Sequence, residues 1–149
     1  MIYLEKLKKL RNETGISFSL CKKALEEAKG DLNQAKKLLQ QWGGEKLKDK
    51  KDKKNQEGAI FSYVHHNGKI AALVEIFCET DFVAGNLEFK DLGKNIAMQI
   101  ASLNPQSLDE LLNQEYIKDS GKKINDLINE AALKFGEKIK IGRFTRWGI

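Results

Sequence analysis

Asn67-Gly68 sits between two alternating apolar runs, 58–66 and 69–77, and this arrangement constrains the fold more than any other feature. Both central positions of a type I′ turn need positive φ, which Asn and Gly accept, so the spacing predicts a β-hairpin. Side chains alternate across a strand, and the register about this turn puts Ala59, Phe61, Tyr63, His65, Ile70, Ala72, Val74 and Ile76 on one face. The other face carries Ile60, Ser62, Val64, His66, Lys69, Ala71, Leu73 and Glu75. The first set is core. The second is mixed, yet too apolar to be only solvated. It needs a cover, which a helix pair, another sheet or a second subunit would supply.

Downstream the period changes from two to 3.6. An amphipathic helix is expected over 87–103, with Leu87, Phe89, Leu92, Ile96, Ala97, Ile100 and Leu103 inward, and Asn104-Pro105 ends it. Ser107 and Glu110 frame a capping box for a short helix containing Leu108, Leu111 and Leu112. A further helix spans 122–135, with Ile124, Leu127, Ile128, Ala131 and Phe135 inward, and Gly136 terminates it. Alternation returns at 138–141, but Phe144 and Trp147 are out of phase with Ile139 and Ile141. A third strand with a bulge or bend near Gly142 accounts for that shift. The expected class is α+β: a small three-stranded antiparallel sheet with helices packed on one face.

Residues 1–43 read as three short helices. Leu4, Leu7 and Leu10 or Arg11 recur at helical spacing, and Thr14-Gly15 ends that run. Ser17 can cap a second helix with Leu20 or Cys21, Ala24, Leu25 and Ala28 on its stripe, closed by Gly30. Asp31, with Gln34 three residues on, starts a third, whose inner face is Leu32, Ala35, Leu38 and Leu39 and which Gly43-Gly44 stops. Residues 44–55 are dominated by lysine and nearly lack apolar anchors, which marks a boundary. Three parts follow: a helical domain over 1–43, a lysine-rich linker over 44–55 and a core domain over 56–149. The helical domain is a stabilising bundle or a protein-docking module. Lys22, Lys23 and Lys29 leave a DNA-reading helix-turn-helix as a weaker alternative. The linker is a solvated spacer or a contact for an acidic surface or RNA.

Several function classes drop out. The net charge is +5, but the lysines are interleaved with acids and form no one-faced basic stripe. Cys21 and Cys78 are far apart in the chain and read as free thiols in a reducing compartment. No run reaches membrane-spanning length and the N-terminus has no long apolar region, so a cytoplasmic protein with no membrane partner is expected. His65 and His66, adjacent in a strand, are expected on opposite faces, where they cannot share a metal. There is no phosphate-binding glycine loop and no dinucleotide fingerprint. Neither an enzyme, a cofactor nor a metal site is expected.

The strand-to-helix junction at 78–84 remains to be accounted for. Such junctions carry function because a rigid scaffold holds a connection that is free to vary. Asp81 is ordinarily a turn former, and Phe82 and Val83 would ordinarily fold back onto the core. A Phe exposed at a loop tip, however, makes sense as a wedge that enters another protein.

Three regions carry a family resemblance: 10–15 with Cys21-Lys22-Lys23-Ala24-Leu25 and Gly30-Asp31; Glu79-Thr80-Asp81-Phe82-Val83-Ala84; and Phe135-Gly136-Glu137-Lys138-Ile139 with Arg143-Phe144. In that order the chain resembles bacterial translation elongation factor Ts, the guanine-nucleotide exchange factor of elongation factor Tu. The resemblance implies a ubiquitin-associated-like helical domain and one family core unit. It implies that Thr80, Asp81, Phe82 and Val83 intrude beside the magnesium site of the GTPase, which is GDP-bound or nucleotide-free. Phe135 and Gly136 would press toward its phosphate loop, and the helices bearing Cys21, Lys22 and Lys23 would dock elsewhere on it. The chain departs from the pattern: it is short between Pro105 and Tyr116, Phe135 replaces a smaller aliphatic residue, and Gly142 stands where a second arginine is common. Compact members pair two core units, which makes a homodimer through the sheet an expectation. No DNA is implied. The alternative is an RNA- or ribosome-associated module without exchange activity, which would lose affinity steeply with salt.

Overall fold

Helical spacing of leucines organises the first third of the chain. In the computed structural model, which describes residues 3–49 and 57–149, it forms α1 (Tyr3–Thr14), α2 (Phe18–Glu27) and α3 (Leu32–Asp49). Ser17 Oγ accepts the Leu20 N–H at 3.4 Å and Asp31 Oδ1 that of Gln34 at 3.2 Å, so both later helices begin where their caps stand. Leu10, Ile16, Cys21, Ala24, Leu25, Ala35 and Leu39 form a buried core between them. After residues 50–56, which hold most of the lysine-rich stretch and lie outside the described residues, come β1 (Glu57–Val64), β2 (Ile70–Cys78), the single turn α4 (Asp81–Ala84), α5 (Leu87–Leu103) and α6 (Leu108–Asn113). The ribbon β3 (Glu115–Tyr116) and β4 (Asp119–Lys123), then α7 (Ile124–Phe135) and β5 (Lys140–Gly148), complete the chain.

The main sheet is antiparallel in the order β1-β2-β5. Ala59 faces Ile76, Phe61 faces Val74 and Tyr63 faces Ala72, the register expected from the alternation. The turn itself differs. Gly68 N–H bonds the His65 carbonyl at 2.8 Å, His65 N–H bonds that of Ile70 at 2.8 Å, and Gly68 alone in the turn has positive φ, +71°. The tight I′ turn is therefore replaced by a wider one closed at His65–Ile70. Both turns are centred between Asn67 and Gly68, so the register is the same. The strand ends at Val64, and the alternation that would separate His65 from His66 ends with it: their ring centroids are 4.1 Å apart.

On β5 the register shifts between Phe144, opposite Val74, and Ile141, opposite Ile76, which places a bulge at Gly142 and Arg143. Glu75 faces it and accepts from Arg143 N at 2.8 Å, Nε at 3.0 Å and Nη2 at 2.8 Å. The Arg143 bonds hold the Glu75 carboxyl down at about 2.

One face of the sheet carries the core. Phe61 meets Phe89 of α5 edge-on, with ring centroids 5.8 Å apart, and Gly93 of α5 lies under the Phe61 ring, where a methyl would overlap it. The buried face of α5 is Phe89, Leu92, Ile96, Ala97 and Ile100. Leu87 and Leu103, expected inward, are exposed because they occupy its first and last positions. Buried Gln99 ties the β3–β4 ribbon to α5, its amide donating to the Glu115 carbonyl at 3.0 Å and accepting the Ile117 N–H at 3.0 Å. The opposite face of the sheet exposes Ile60, Val64, Leu73 and Trp147.

Gly43-Gly44 does not stop α3, which runs on to Asp49. Gly43 is buried against α7, where a methyl would overlap the Asn129 carbonyl. Leu133 of α7 packs on the helical core, and buried Glu130 accepts from Gln40 Nε2 at 3.1 Å and Lys122 Nζ at 2.8 Å. Close approach of two helices, not termination, explains Gly43.

Candidate functional site

β2 delivers the chain to the junction with its last side chain, Cys78, buried. The thiol donates to the Thr80 carbonyl at 3.2 Å, and burial, with the nearby Glu137 charge, pushes it up to about 11. Thr80 then takes an extended conformation, and its Oγ1 accepts the Val83 N–H at 3.3 Å. That cap winds Asp81–Ala84 into one helical turn, in place of an irregular loop. Asn86 caps the next helix through Glu88 N–H at 2.7 Å and Phe89 N–H at 3.4 Å. Between the two caps the side chains divide. Val83 joins the sheet core, Asp81 is exposed, and Phe82 stands 87% exposed.

The end of α7 arrives beside this turn. Half-buried Phe135 packs edge-on against Phe89, with centroids 6.1 Å apart. Gly136 closes the helix at φ +69°, its N–H on the Ala132 carbonyl at 3.0 Å. The next residue makes the connection. Glu137 Oε1 accepts the N–H groups of Glu79 at 2.9 Å and Thr80 at 3.1 Å, and Oε2 accepts the Thr80 hydroxyl at 2.6 Å. In return Glu79 Oε2 accepts the Lys138 N–H at 2.6 Å. The segment 80–83 and the pair Phe135-Gly136, fifty residues apart, are thus tied by two carboxylates. Sequence reading missed the roles of Glu137 and Glu79. Its one signal was an acid directly after a helix-ending glycine.

The third group lies elsewhere. Cys21 is buried in the helical core, bonded to the Ile16 carbonyl at 3.5 Å, and burial raises its thiol. It supports α2 from within and is not at the surface. Lys22 and Lys23 are exposed, and Lys23 Nζ lies 5.2 Å from the centroid of the Trp42 ring. A cavity of about 360 Å³ between α1, α5 and α7 is lined by Glu13, Glu88, Leu92, Lys134 and Phe135, with neither Asp81 nor Phe82 in its wall. Among the described residues no three acids, histidines or cysteines are grouped to hold a metal, and no helix is long and apolar enough to cross a membrane.

What the junction offers is a protrusion on a braced turn. Fold and site together define an α+β scaffold that presents an exposed aromatic residue instead of a pocket around reactive groups. The family is shown by comparison: this chain belongs to the elongation factor Ts family. A description of "Elongation factor TS" matches residues 79–148, the part holding the junction, α5–α7 and β5. The chain is 37% identical over 191 positions to elongation factor Ts of Thermotoga sp. (strain RQ2), covering 99% of this chain and 96% of that one. It is 37% identical over 188 positions to that of Oleidesulfovibrio alaskensis, covering 96% and 95%, and 35% identical over 190 positions to that of Leptospira biflexa, covering 97% and 96%. These alignments run longer than the 149 residues here, so the relatives carry residues with no counterpart in this chain. The family comprises translation elongation factors, not enzymes.

Proposed function

We propose that this protein is a guanine-nucleotide exchange factor for elongation factor Tu, acting by disturbance of the Mg²⁺ and phosphate site of that GTPase. The observation that carries the reading is Phe82, 87% exposed on a turn braced against the Phe135-Gly136 segment. A bound nucleotide depends on Mg²⁺, which demands near-octahedral geometry, so a small displacement of its surroundings weakens it. Phe82 enters as an apolar wedge and Asp81 hydrogen-bonds displaced partner groups. Thr80 and Val83 hold the turn from below, and Gly136, without a side chain, lets the backbone approach the phosphate loop. The three-helix part is a ubiquitin-associated-like docking domain whose Lys22 and Lys23 meet the GTPase elsewhere. Nucleotide and exchange factor then each weaken the other's binding to the GTPase, as reciprocal coupling requires. The protein works in the cytoplasm, on the GDP-bound or nucleotide-free partner, and pairs with a second copy through its sheet.

Release of labelled GDP from elongation factor Tu, with and without this protein, tests the reading. Acceleration that persists from low to moderate salt is expected. No acceleration, with steeply salt-dependent RNA binding instead, would reject it in favour of an RNA-associated module.

A further inference from the structure

We propose that Glu137 is the positioning residue of the exchange site, the group that fixes the turn carrying Phe82 relative to the segment ending at Gly136. This inference rests on the exchange-factor reading above. Phe82 has almost no packing within its own chain, so its position is that of its backbone. That backbone is a four-residue turn, far too short to be stable alone. Apart from the Cys78 thiol on the Thr80 carbonyl, the described side-chain bonds that hold it from outside converge on one carboxylate. Glu137 takes up two backbone N–H groups, of Glu79 and Thr80, and the Thr80 hydroxyl. With its proton committed to Glu137, that hydroxyl directs a lone pair to the Val83 N–H, so the restraint passes into the turn itself. Glu137 also directly follows Gly136. The same side chain therefore sets the separation between the two segments that must engage the partner together.

The test is a double-mutant cycle on GDP release, with the full chain and elongation factor Tu over a range of concentrations. Glu137→Ala is expected to lower the maximal release rate at least about fivefold, and in a Phe82→Ala background to add less than about twofold, because one residue acts through the other. Glu137→Gln is expected to stay within about twofold of wild type, since its amide carbonyl still accepts both N–H groups and its NH2 donates to the Thr80 hydroxyl oxygen, whose other lone pair still serves the Val83 N–H. Amide exchange at Glu79, Thr80 and Val83 in the free protein should quicken in Glu137→Ala and not in Glu137→Gln. A merely structural role would lower the unfolding temperature, leave the maximal rate untouched well below it, and add independently to Phe82→Ala. A folded Glu137→Ala at the wild-type maximal rate, or additive losses, would overturn the proposal. If Glu137→Ala does not fold, Thr80→Val, which deletes the hydroxyl relay and keeps the shape, takes its place, and a wild-type rate there rejects it equally. The failures are distinguishable. An unimpaired Phe82→Ala rejects the exchange mechanism and this inference with it; an impaired Phe82→Ala beside a fully active Glu137→Ala rejects the inference alone.

Discussion

Phe82 and Val83 are neighbours in sequence and opposites in environment, the first 87% exposed and the second 9%. A single turn of helix sends consecutive side chains about 100° apart, so one anchors while the other projects. Removing the projecting ring therefore leaves the fold alone. Phe82→Ala should unfold within about 0.5 kcal/mol of wild type, as surface substitutions do. Stopped-flow GDP release should nonetheless slow at least tenfold, the loss of an interface anchor worth about 2 kcal/mol. An unchanged rate would remove Phe82 from the mechanism. Glu75 makes the reverse case, a residue outside the candidate site whose bonds to Arg143 shape the strand. Its carboxyl is lowered from 4.5 to about 2 by Arg143, so its share of stability is fully present above 4.5 and is lost as pH falls through about 2. Thermal unfolding of wild type and Glu75→Gln should differ most at neutral pH and converge below about pH 2. A gap that stays constant on acidification would show that the charge of Glu75 contributes nothing.

The elements themselves were largely legible in the sequence. Caps at Ser17, Asp31 and Ser107 accept N–H groups at 3.4, 3.2 and 3.1 Å as their spacing predicts, but Glu110 of the expected capping box bonds the N–H of Gln106 at 2.6 Å and not that of Ser107. The bulge opposite Glu75 follows from the phase change between Ile141 and Phe144. The β3–β4 ribbon was missed because Asp119–Lys123 is polar throughout and carries no alternation. Gly43-Gly44 misled for a different reason. Local propensity favours a stop at two glycines, but α3 gains a partner in α7 at that point, and tertiary packing overrides propensity. The two glycines should behave differently. Gly43→Ala must push against the Asn129 carbonyl and is expected to destabilise by about 1–3 kcal/mol. At Gly44 the nearest atom to an added methyl is the Asn129 side-chain nitrogen at 3.5 Å, an ordinary contact. Gly44→Ala should thus stabilise by up to about 1 kcal/mol through helix propensity. Urea unfolding decides both; equal effects would mean that α3 and α7 do not pack this closely.

At the scale of the molecule, the proposed division into 1–43, 44–55 and 56–149 meets the α3–α7 contact. The sheet core, from Phe61 to Ile141, contains no residue of the first three helices. A fragment spanning 56–149 should therefore fold, at reduced stability because Leu133 and Asn129 lose α3. Circular dichroism of the fragment checks this, and a disordered spectrum would reject the division. The uncovered sheet face sets the other expectation. Grooves of about 330 Å³, lined by Ile60, Leu73 and Phe144, and about 180 Å³, lined by Val64, Ala71 and Trp147, lie along it. Burying such apolar surface against a second copy would contribute roughly 25 cal/mol per Å². Sedimentation equilibrium over a hundredfold concentration range should reveal a dimer. A single species at the 16.9 kDa chain mass throughout would reject it.

The sequence by itself determined the periodic features: the longer helices and the three strands of the main sheet, where caps and the bulge fall, and which hairpin face is core. Each depends on residues a few positions apart, whose relation is set by the geometry of one element. Tertiary structure alone decided what depends on distant partners. Among these are the passage of α3 through two glycines and the covering of only one face of the sheet. The meeting of Glu137 with Thr80 belongs here too. No local pattern records that a carboxylate beyond α7 will satisfy two backbone N–H groups beyond β2, because that pairing exists only once the sheet has brought the two chain ends together.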